Sequence, residues 1–561
     1  MGDFRPPFSP SARYPPAVPH AAPIFQFNSQ RRAIVDEVVE RVCSAIRDPL
    51  HTLNDAAYQE IKRLQRAGGP EYAEWRSLAR QLGRMSDSEH RAKLEDYARK
   101  YAWDVAGNFD PRVYKFASRA MAPLLGALMS PRSTVRNLPG SFDLTALDGR
   151  VLVQGPREHI KKLSEVGTLV FVPTHLSNLD SVVFGFALER AGLPPATYGA
   201  GKNLFTNPVL SYFMHNLGAY RVDRRLKFAL YKDVLKAYSC TLIERGYHSL
   251  FFPGGTRSRS GGVERRLKLG LAGTGIEAFA RTAERGRPQH VFFVPATINY
   301  LLTLEAETLI DDFLQEEGKH RYIIEDDEST RFARVAAFMN KLLGLDGSVI
   351  IRFSAPVDCF GNRVDERGRS YDAHGRHVDP KTYLYGAKGD VPVRDAARDA
   401  QYTRELGSVI CDAYKRDTVI MSTHLVATAA FDHLRKSVGG RNDVFALLRH
   451  RDDVSIPRGE FVAQVGALLD RVRERARLGH LVLAPRLEHA EASEVVDEAL
   501  RAFAGYHTSE VLVLRDANVV LSDTRLLLYY QNRLAAHGLA ADVLPPRGVD
   551  RPGLAPATAS A

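Results

Sequence analysis

Cysteine is scarce: Cys43, Cys240, Cys359 and Cys411 are the only four in 561 residues. They stand far apart with no Cys-x-x-Cys pair. That excludes a disulfide-built secreted scaffold and points to reduced thiols. Long apolar runs are missing too. No stretch reaches the 18 or more apolar residues of a membrane-crossing helix. The nearest, 203–220 (NLFTNPVLSYFMHNLGAY), lacks Asp, Glu, Lys and Arg but holds three asparagines, a proline and a histidine. If a membrane is involved, the chain is expected to lie on it. The first twenty residues, MGDFRPPFSPSARYPPAVPH, have no apolar core, so no secretory signal is expected. Acidic residues are in deficit, 66 against 76 Lys and Arg, for a formal net charge of +10. That favours an anionic partner such as a phosphorylated metabolite, an acidic lipid surface or nucleic acid. No RNP, zinc-finger or helix-turn-helix pattern supports the last.

What is present is ordinary globular material, 45% hydrophobic and 25% charged, in a chain too long for one core. Residues 1–28 are Pro-rich and expected to be disordered. Residues 29–135 carry apolar residues at helical spacing and read as a helical N-terminal domain, one helix opening on a capping-type serine in SDSEHRAKLEDYARKYAWDVAG. From 148 to 356 the texture changes. The β-rich runs TLVFVPTH, PATYGAG, HSLFFPGG, HVFFVPATINY and SVIIRFSAP alternate with helical patterns at 226–245 and 271–285. That alternation predicts an α/β domain with a mainly parallel sheet. Residues 357–395 read as a polar loop, 396–545 as a helical C-terminal region and 546–561 as a disordered tail. No internal repeat at a fixed period is apparent.

Four stretches could carry chemistry. In FVPTHLSNLDS an apolar strand ends at His175, and Asp180 follows five residues later. A histidine can accept and return a proton, and a carboxylate on its other ring nitrogen fixes the tautomer. With His175 after the strand and Asp180 in the first helical turn, the two can meet. In GAYRVDRRLK, four basic residues and Asp223 leave +3 between Arg221 and Lys227, a setting in which arginine can bind phosphate. In FFPGGTRSRSGGVERRLK, glycines and small hydroxyls follow a strand. Five bases and one acid lie between Arg257 and Lys268. Gly255, Thr256, Arg257, Ser258, Arg259 and Lys268 are the candidate substrate contacts, able to hold phosphate oxygens. VFFVPATINY reads as a buried strand interrupted by Pro295.

Other signals fail. GAGKN at 199–203 has Ala196 where a P-loop needs glycine, and Asn203 in place of Ser or Thr. GLAGTG at 270–275 follows a basic stretch and not a strand. Asp372, His374, His377 and Asp379 in YDAHGRHVD read as solvated loop residues, so no metal site is expected.

Taken in order, strand-end His-x4-Asp, Gly-x5-Arg, a Gly-Thr-Arg-Ser turn and a Val-Pro strand resemble the four-block pattern of the glycerolipid acyltransferases over about 150–305. The chain looks most like the glycerol-3-phosphate and dihydroxyacetone-phosphate branch: GAYRVDR, AGKNL, RSRSG, INYLLTLE and the later LLYYQN are similar to that branch's stretches. The resemblance implies that His175, oriented by Asp180, deprotonates an acceptor hydroxyl that attacks an acyl thioester. Arg224, Arg257, Arg259 and Lys268 would hold the acceptor's phosphate. The donor would be acyl-CoA or acyl carrier protein, the acceptor glycerol 3-phosphate and the product lysophosphatidic acid, made at the cytoplasmic face of a membrane by a peripheral enzyme of phospholipid synthesis. No cofactor is implied and nucleic acid is not a partner. Dihydroxyacetone phosphate or a lysophospholipid is the alternative acceptor, and a non-catalytic lipid-binding protein the alternative class. Two departures stand out. Gly254 occupies the place of the family's third-block glutamate, and Arg221 that of an aromatic. Whether Glu264 or Glu305 supplies a carboxylate instead stays open in the sequence.

Overall fold

The run GTLVFVP has no charged residue on either face, the composition of a strand covered on both sides. In the computed structural model it is the second strand of a mixed sheet, and six of its seven residues are buried. The structure describes residues 23–117, 151–202, 205, 208–317, 349–386, 389, 392–393, 395–439, 444–448, 454–504, 507 and 509–540. The expected boundary between 135 and 148, residues 1–22 of the Pro-rich segment 1–28 and the tail from 541 lie outside these, while residues 23–28, expected to be disordered, form a 3-10 turn and the start of the first helix. The described residues fall into two compact units. One lies within Met1–Arg257, Glu264–Tyr300 and Leu343–Thr418, the other within Ser258–Val263, Leu301–Leu342 and Val419–Ala561.

The first unit holds eleven strands: β1 (Val151–Gln154), β2 (Gly167–Pro173), β3 (Thr197–Gly201), β4 (Ala219–Val222), β5 (Ser249–Leu250), β6 (His290–Tyr300), β7 (Val349–Phe353), β8 (Val357–Asp358), β9 (Arg363–Val364), β10 (Ser370–Tyr371) and β11 (His377–Val378). The sheet order is β11-β10-β9-β8-β6-β2-β5-β3-β4, and β7 pairs with both β6 and β1. The pairs β6–β2, β2–β5, β5–β3 and β3–β4 are all parallel. The additions beyond β6 are antiparallel, apart from the parallel pair of β7 with β1. The sheet is therefore mainly parallel in its centre, as expected. The carboxyl ends of β2, β5, β3 and β4 open on one edge, where α/β sheets place ligands.

The helices of this unit are α1 (Phe27–Ala45), α2 (Pro49–Leu64), α3 (Pro70–Gln81), α4 (Asp87–Val105), α5 (Arg157–Val166), α6 (Asp180–Arg190), α7 (Pro208–Asn216), α8 (Ala229–Glu244), α9 (Gly273–Glu284) and α10 (Ala396–Asp417). The capping serine is Ser86. Its hydroxyl accepts from Glu89 N–H, and its own N–H donates to the Glu89 carboxylate at 2.7 Å, opening α4. Helices α1–α4 share one apolar core with α8, built on Trp75, Tyr101, Phe228, Tyr231 and Tyr238.

Residues 357–395, expected as a polar loop, contain β8–β11 and a 3-10 turn at Pro380–Leu384. They also hold an internal repeat that the sequence reading did not find. Asp358-x-x-Gly361-Asn362, Asp365-x-x-Gly368-Arg369 and Asp372-x-x-Gly375-Arg376 recur every seven residues. In each turn the Asp Oδ1 accepts two main-chain N–H bonds at 2.9 Å. The glycines take φ of +87°, +77° and +77°. Aspartate and glycine thus make three successive hairpin turns from residues that read as loop.

In the second unit, helices Ser422–Ser437 and Thr524–Ala535 are buried along most of their length. They pack with Arg458–Arg477 and Ala492–Phe503 beside a three-stranded antiparallel sheet. The expected C-terminal helical region is thus divided, since α10 belongs to the first unit.

Candidate active site

β2 ends at Pro173, and the chain turns through Thr174 to His175. Thr174 ties this turn to β6: its N–H donates to Ala296 O at 3.0 Å and its hydroxyl accepts from Ile298 N–H at 3.0 Å. Five residues on, Asp180 begins α6, where the helix dipole favours a carboxylate. His175 Nδ1 donates to Asp180 Oδ2 at 2.8 Å. The N–H groups of Leu176 and Ser177 donate to the same oxygen at 2.6 and 2.9 Å. Tyr300, the last residue of β6, donates its hydroxyl to Oδ1 at 2.7 Å. Four donors converge on one fully buried carboxylate, which a buried charge requires. With Nδ1 so engaged, the imidazole carries its lone pair on Nε2, the arrangement of a general base. The ring stacks on Phe252, centroids 4.2 Å apart, and remains 13% exposed.

The turn after β5 lies beside it. Gly255 N–H closes the turn on Phe252 O at 3.0 Å, and Gly255 takes φ +74°. A Cβ there would come within 2.4 Å of Lys268 Cδ, so only glycine lets the lysine fold against the loop. Thr256 is exposed at the tip. Arg224 follows β4. The surrounding protein, and next the charge of Arg257, lower its pKa from the ordinary arginine value. The two guanidiniums therefore stand within each other's field. Arg221 lies over the Phe205 ring at 5.1 Å.

Ser258 and Arg259 belong to the second unit, where Ser258 donates to Gly262 O at 2.8 Å and Arg259 pairs with Glu316 at 2.6 Å. Glu305 is fully buried in that unit as well. Glu264 does lie at the dyad: its Oε1 accepts the His175 main-chain N–H at 3.1 Å. Tyr300 and Phe252 were not foreseen. The one usable signal for Tyr300 was a tyrosine closing a long, mostly apolar strand, whose hydroxyl must find a partner. Asp372 is taken up by its turn and by Arg376. Among the described residues no three His, Cys, Asp or Glu side chains come together as metal ligands would.

The family described as Acyltransferase matches residues 154–299. Glycerol-3-phosphate acyltransferase of Pseudomonas paraeruginosa is 28% identical over 201 residues, 36% of this chain and 22% of that protein. The protein of the same name from Xanthomonas axonopodis pv. citri is 27% identical over 219 residues, 38% and 22%. The chain thus spans about a fifth of the length of the curated relatives it matches. A crystal structure of the 1-acyl-sn-glycerophosphate (LPA) acyltransferase from Thermotoga maritima aligns with 44% of this chain and 72% of its own, at 15% identity and a TM-score of 0.21. The matched segment contains the strand-end histidine, its aspartate and the glycine-arginine turn, and over it the chain is similar to the acyltransferases.

Proposed function

We propose that the chain is an acyltransferase that moves an acyl group from a thioester to a hydroxyl of glycerol 3-phosphate. The observation that carries the reading is the His175–Asp180 pair at the carboxyl end of β2, with Nε2 left as the acceptor nitrogen. Nε2 takes the proton of the acceptor hydroxyl, and the oxygen attacks the thioester carbonyl. The carbon–sulfur bond breaks, and the thiolate recovers the proton from the imidazolium. No acyl-enzyme forms and no cofactor enters. Arg224 and Arg257 receive the acceptor's phosphate and hold its hydroxyl near the base, supplying orientation. Relatives that share this segment are named glycerol-3-phosphate acyltransferases, which supports that acceptor. Dihydroxyacetone phosphate and lysophosphatidate also carry a phosphate and a free hydroxyl on a three-carbon backbone and are the alternatives.

The reading places the enzyme on a membrane surface, at its cytoplasmic face. Tyr212 and Phe116 are 55% and 59% exposed, and Phe116 stacks on Phe213 at 6.2 Å. No helix among the described residues is long and apolar enough to cross a membrane.

The test is transfer to radiolabelled glycerol 3-phosphate in the presence of lipid vesicles, with palmitoyl-CoA or palmitoyl-carrier protein as donor. The wild-type chain should give lipid-soluble product. His175→Ala should lose about 10²–10⁴-fold in turnover, the usual contribution of a general base, with an unchanged circular dichroism melt. Wild-type turnover in His175→Ala would remove the histidine as base. Absence of product with all three acceptors and both donors would remove the function.

A further inference from the structure

Gly254 and Glu264 meet beside His175. The main chain at Gly254 is outside the left-handed region, so a side chain is allowed there. A Cβ at that position would stand 3.4 Å from Thr256 O and 3.6 Å from both Cγ and Oε1 of Glu264, ordinary contact distances. The space a residue at 254 would fill is thus taken by a carboxylate that arrives ten residues later along the same loop. That Oε1 is also the atom that accepts the His175 N–H.

The surroundings fit a holding role. Helix α10 faces the same carboxylate. Burial first, and then the charge of Glu264, push the Cys411 thiol up to about 11 and the Tyr414 hydroxyl well above its ordinary value. Tyr414 keeps its proton and donates it to Val172 O at 2.7 Å, three residues before His175. The histidine turn is gripped at three points: Asp180 holds the ring, Tyr414 and Thr174 hold the strand end, and Glu264 holds the main-chain amide between them.

We propose that Glu264 is a positioning residue for His175, and that its carboxylate is exchangeable with one delivered from position 254. This rests on the reading of His175 as the base. The geometry is specific. A glutamate's oxygens stand three bonds from its Cβ and suit a gap of 3.6 Å. An aspartate's stand two bonds away and fall short. Gly254 therefore gives room to the carboxylate that replaces a side chain at its own position.

The experiment compares the full chain with Glu264→Gln, Glu264→Ala, Glu264→Ala with Gly254→Glu, and Glu264→Ala with Gly254→Asp. The first readout needs no activity. In protein labelled with ¹⁵N-histidine, the main-chain amide proton of His175 should move upfield in Glu264→Ala. It should return toward its wild-type position with Glu264→Gln and with Gly254→Glu, but not with Gly254→Asp. The second readout is kinetic. Glu264→Ala should lower kcat by roughly 10–100-fold, the scale of a small misplacement of a catalytic group, with the donor KM unchanged. Gly254→Glu should recover most of that loss. An unmoved amide in Glu264→Ala, or a Gly254→Glu double variant no better than Glu264→Ala in either readout, would overturn the proposal. If the wild type transfers nothing, the functional reading fails by itself, and the amide shift still decides whether Glu264 holds His175.

Discussion

His248 shows how one buried side chain can set the response of the first unit to acid. It precedes β5 and is 6% exposed. Its Nδ1 accepts the Leu169 N–H of β2 at 2.9 Å, so the ring must be neutral at that nitrogen. Burial pushes its pKa down to about 4 from the ordinary 6.5. Above 6.5 the folded and unfolded chains both hold it neutral. As pH falls from 6.5 toward 4 the unfolded chain takes the proton first, so stability declines. Below 4 the loss levels off at about 3 kcal/mol. Urea unfolding at pH 7.0, 5.5 and 4.5 should therefore show a steeper loss for wild type than for His248→Gln, whose amide oxygen can still accept from Leu169. Parallel pH dependence in the two would show that His248 carries no such linkage. At this scale the sequence was readable where chemistry and spacing coincide. His175 and Asp180 lie five residues apart, and strand-turn-helix order brings them together. Tyr300, Phe252 and Tyr414 reach the same site from other strands and a distant helix, and no local pattern encodes that convergence.

The three hairpin turns between β8 and β11 show the same limit for an element. Their period is seven residues, far shorter than the repeats by which solenoids are recognised, and each strand is only two residues long. Polar composition therefore outweighed pattern, whereas β2 and β6 announced themselves by long apolar runs. The repeat also provides an internal control on what glycine does. Gly368 and Gly375 have the same φ of +77° in equivalent turns. A Cβ at Gly368 would come within 2.9 Å of Phe292 Cζ, a fully buried ring of β6, while one at Gly375 would meet nothing within 4 Å. Gly375→Ala should show only the left-handed backbone term, about 1–2 kcal/mol. Gly368→Ala should be more destabilising by about 1 kcal/mol or more, because packed atoms must shift. Chemical unfolding of the two variants side by side measures the difference, and equal losses would mean that the Phe292 contact relaxes freely.

At the scale of the whole molecule, the change of texture near 148 suggested a helical domain followed by an α/β domain. Contacts that join them lie between residues some two hundred positions apart, which composition cannot reveal. Helices α1–α4 close on α8 through a common core. A buried ion network crosses the same seam: Arg41 donates to both oxygens of Glu244 at 2.6 and 2.7 Å and also pairs with Glu37, which Arg245 grips at 2.7 Å. Glu244 is 3% exposed and Arg41 9%. Removing one partner of such a pair leaves the other buried without compensation, a loss of about 3–5 kcal/mol. The chain's two tryptophans, Trp75 and Trp103, both sit in α3 and α4, so fluorescence reports on the N-terminal helices alone. Glu244→Ala lies on α8, beyond those helices. If the shared core makes one folding unit, the variant should lower the tryptophan midpoint and the far-ultraviolet dichroism midpoint together in urea. A tryptophan transition that keeps its wild-type midpoint while the dichroism shifts would instead make α1–α4 an independently folding part, and the common core a contact between finished domains.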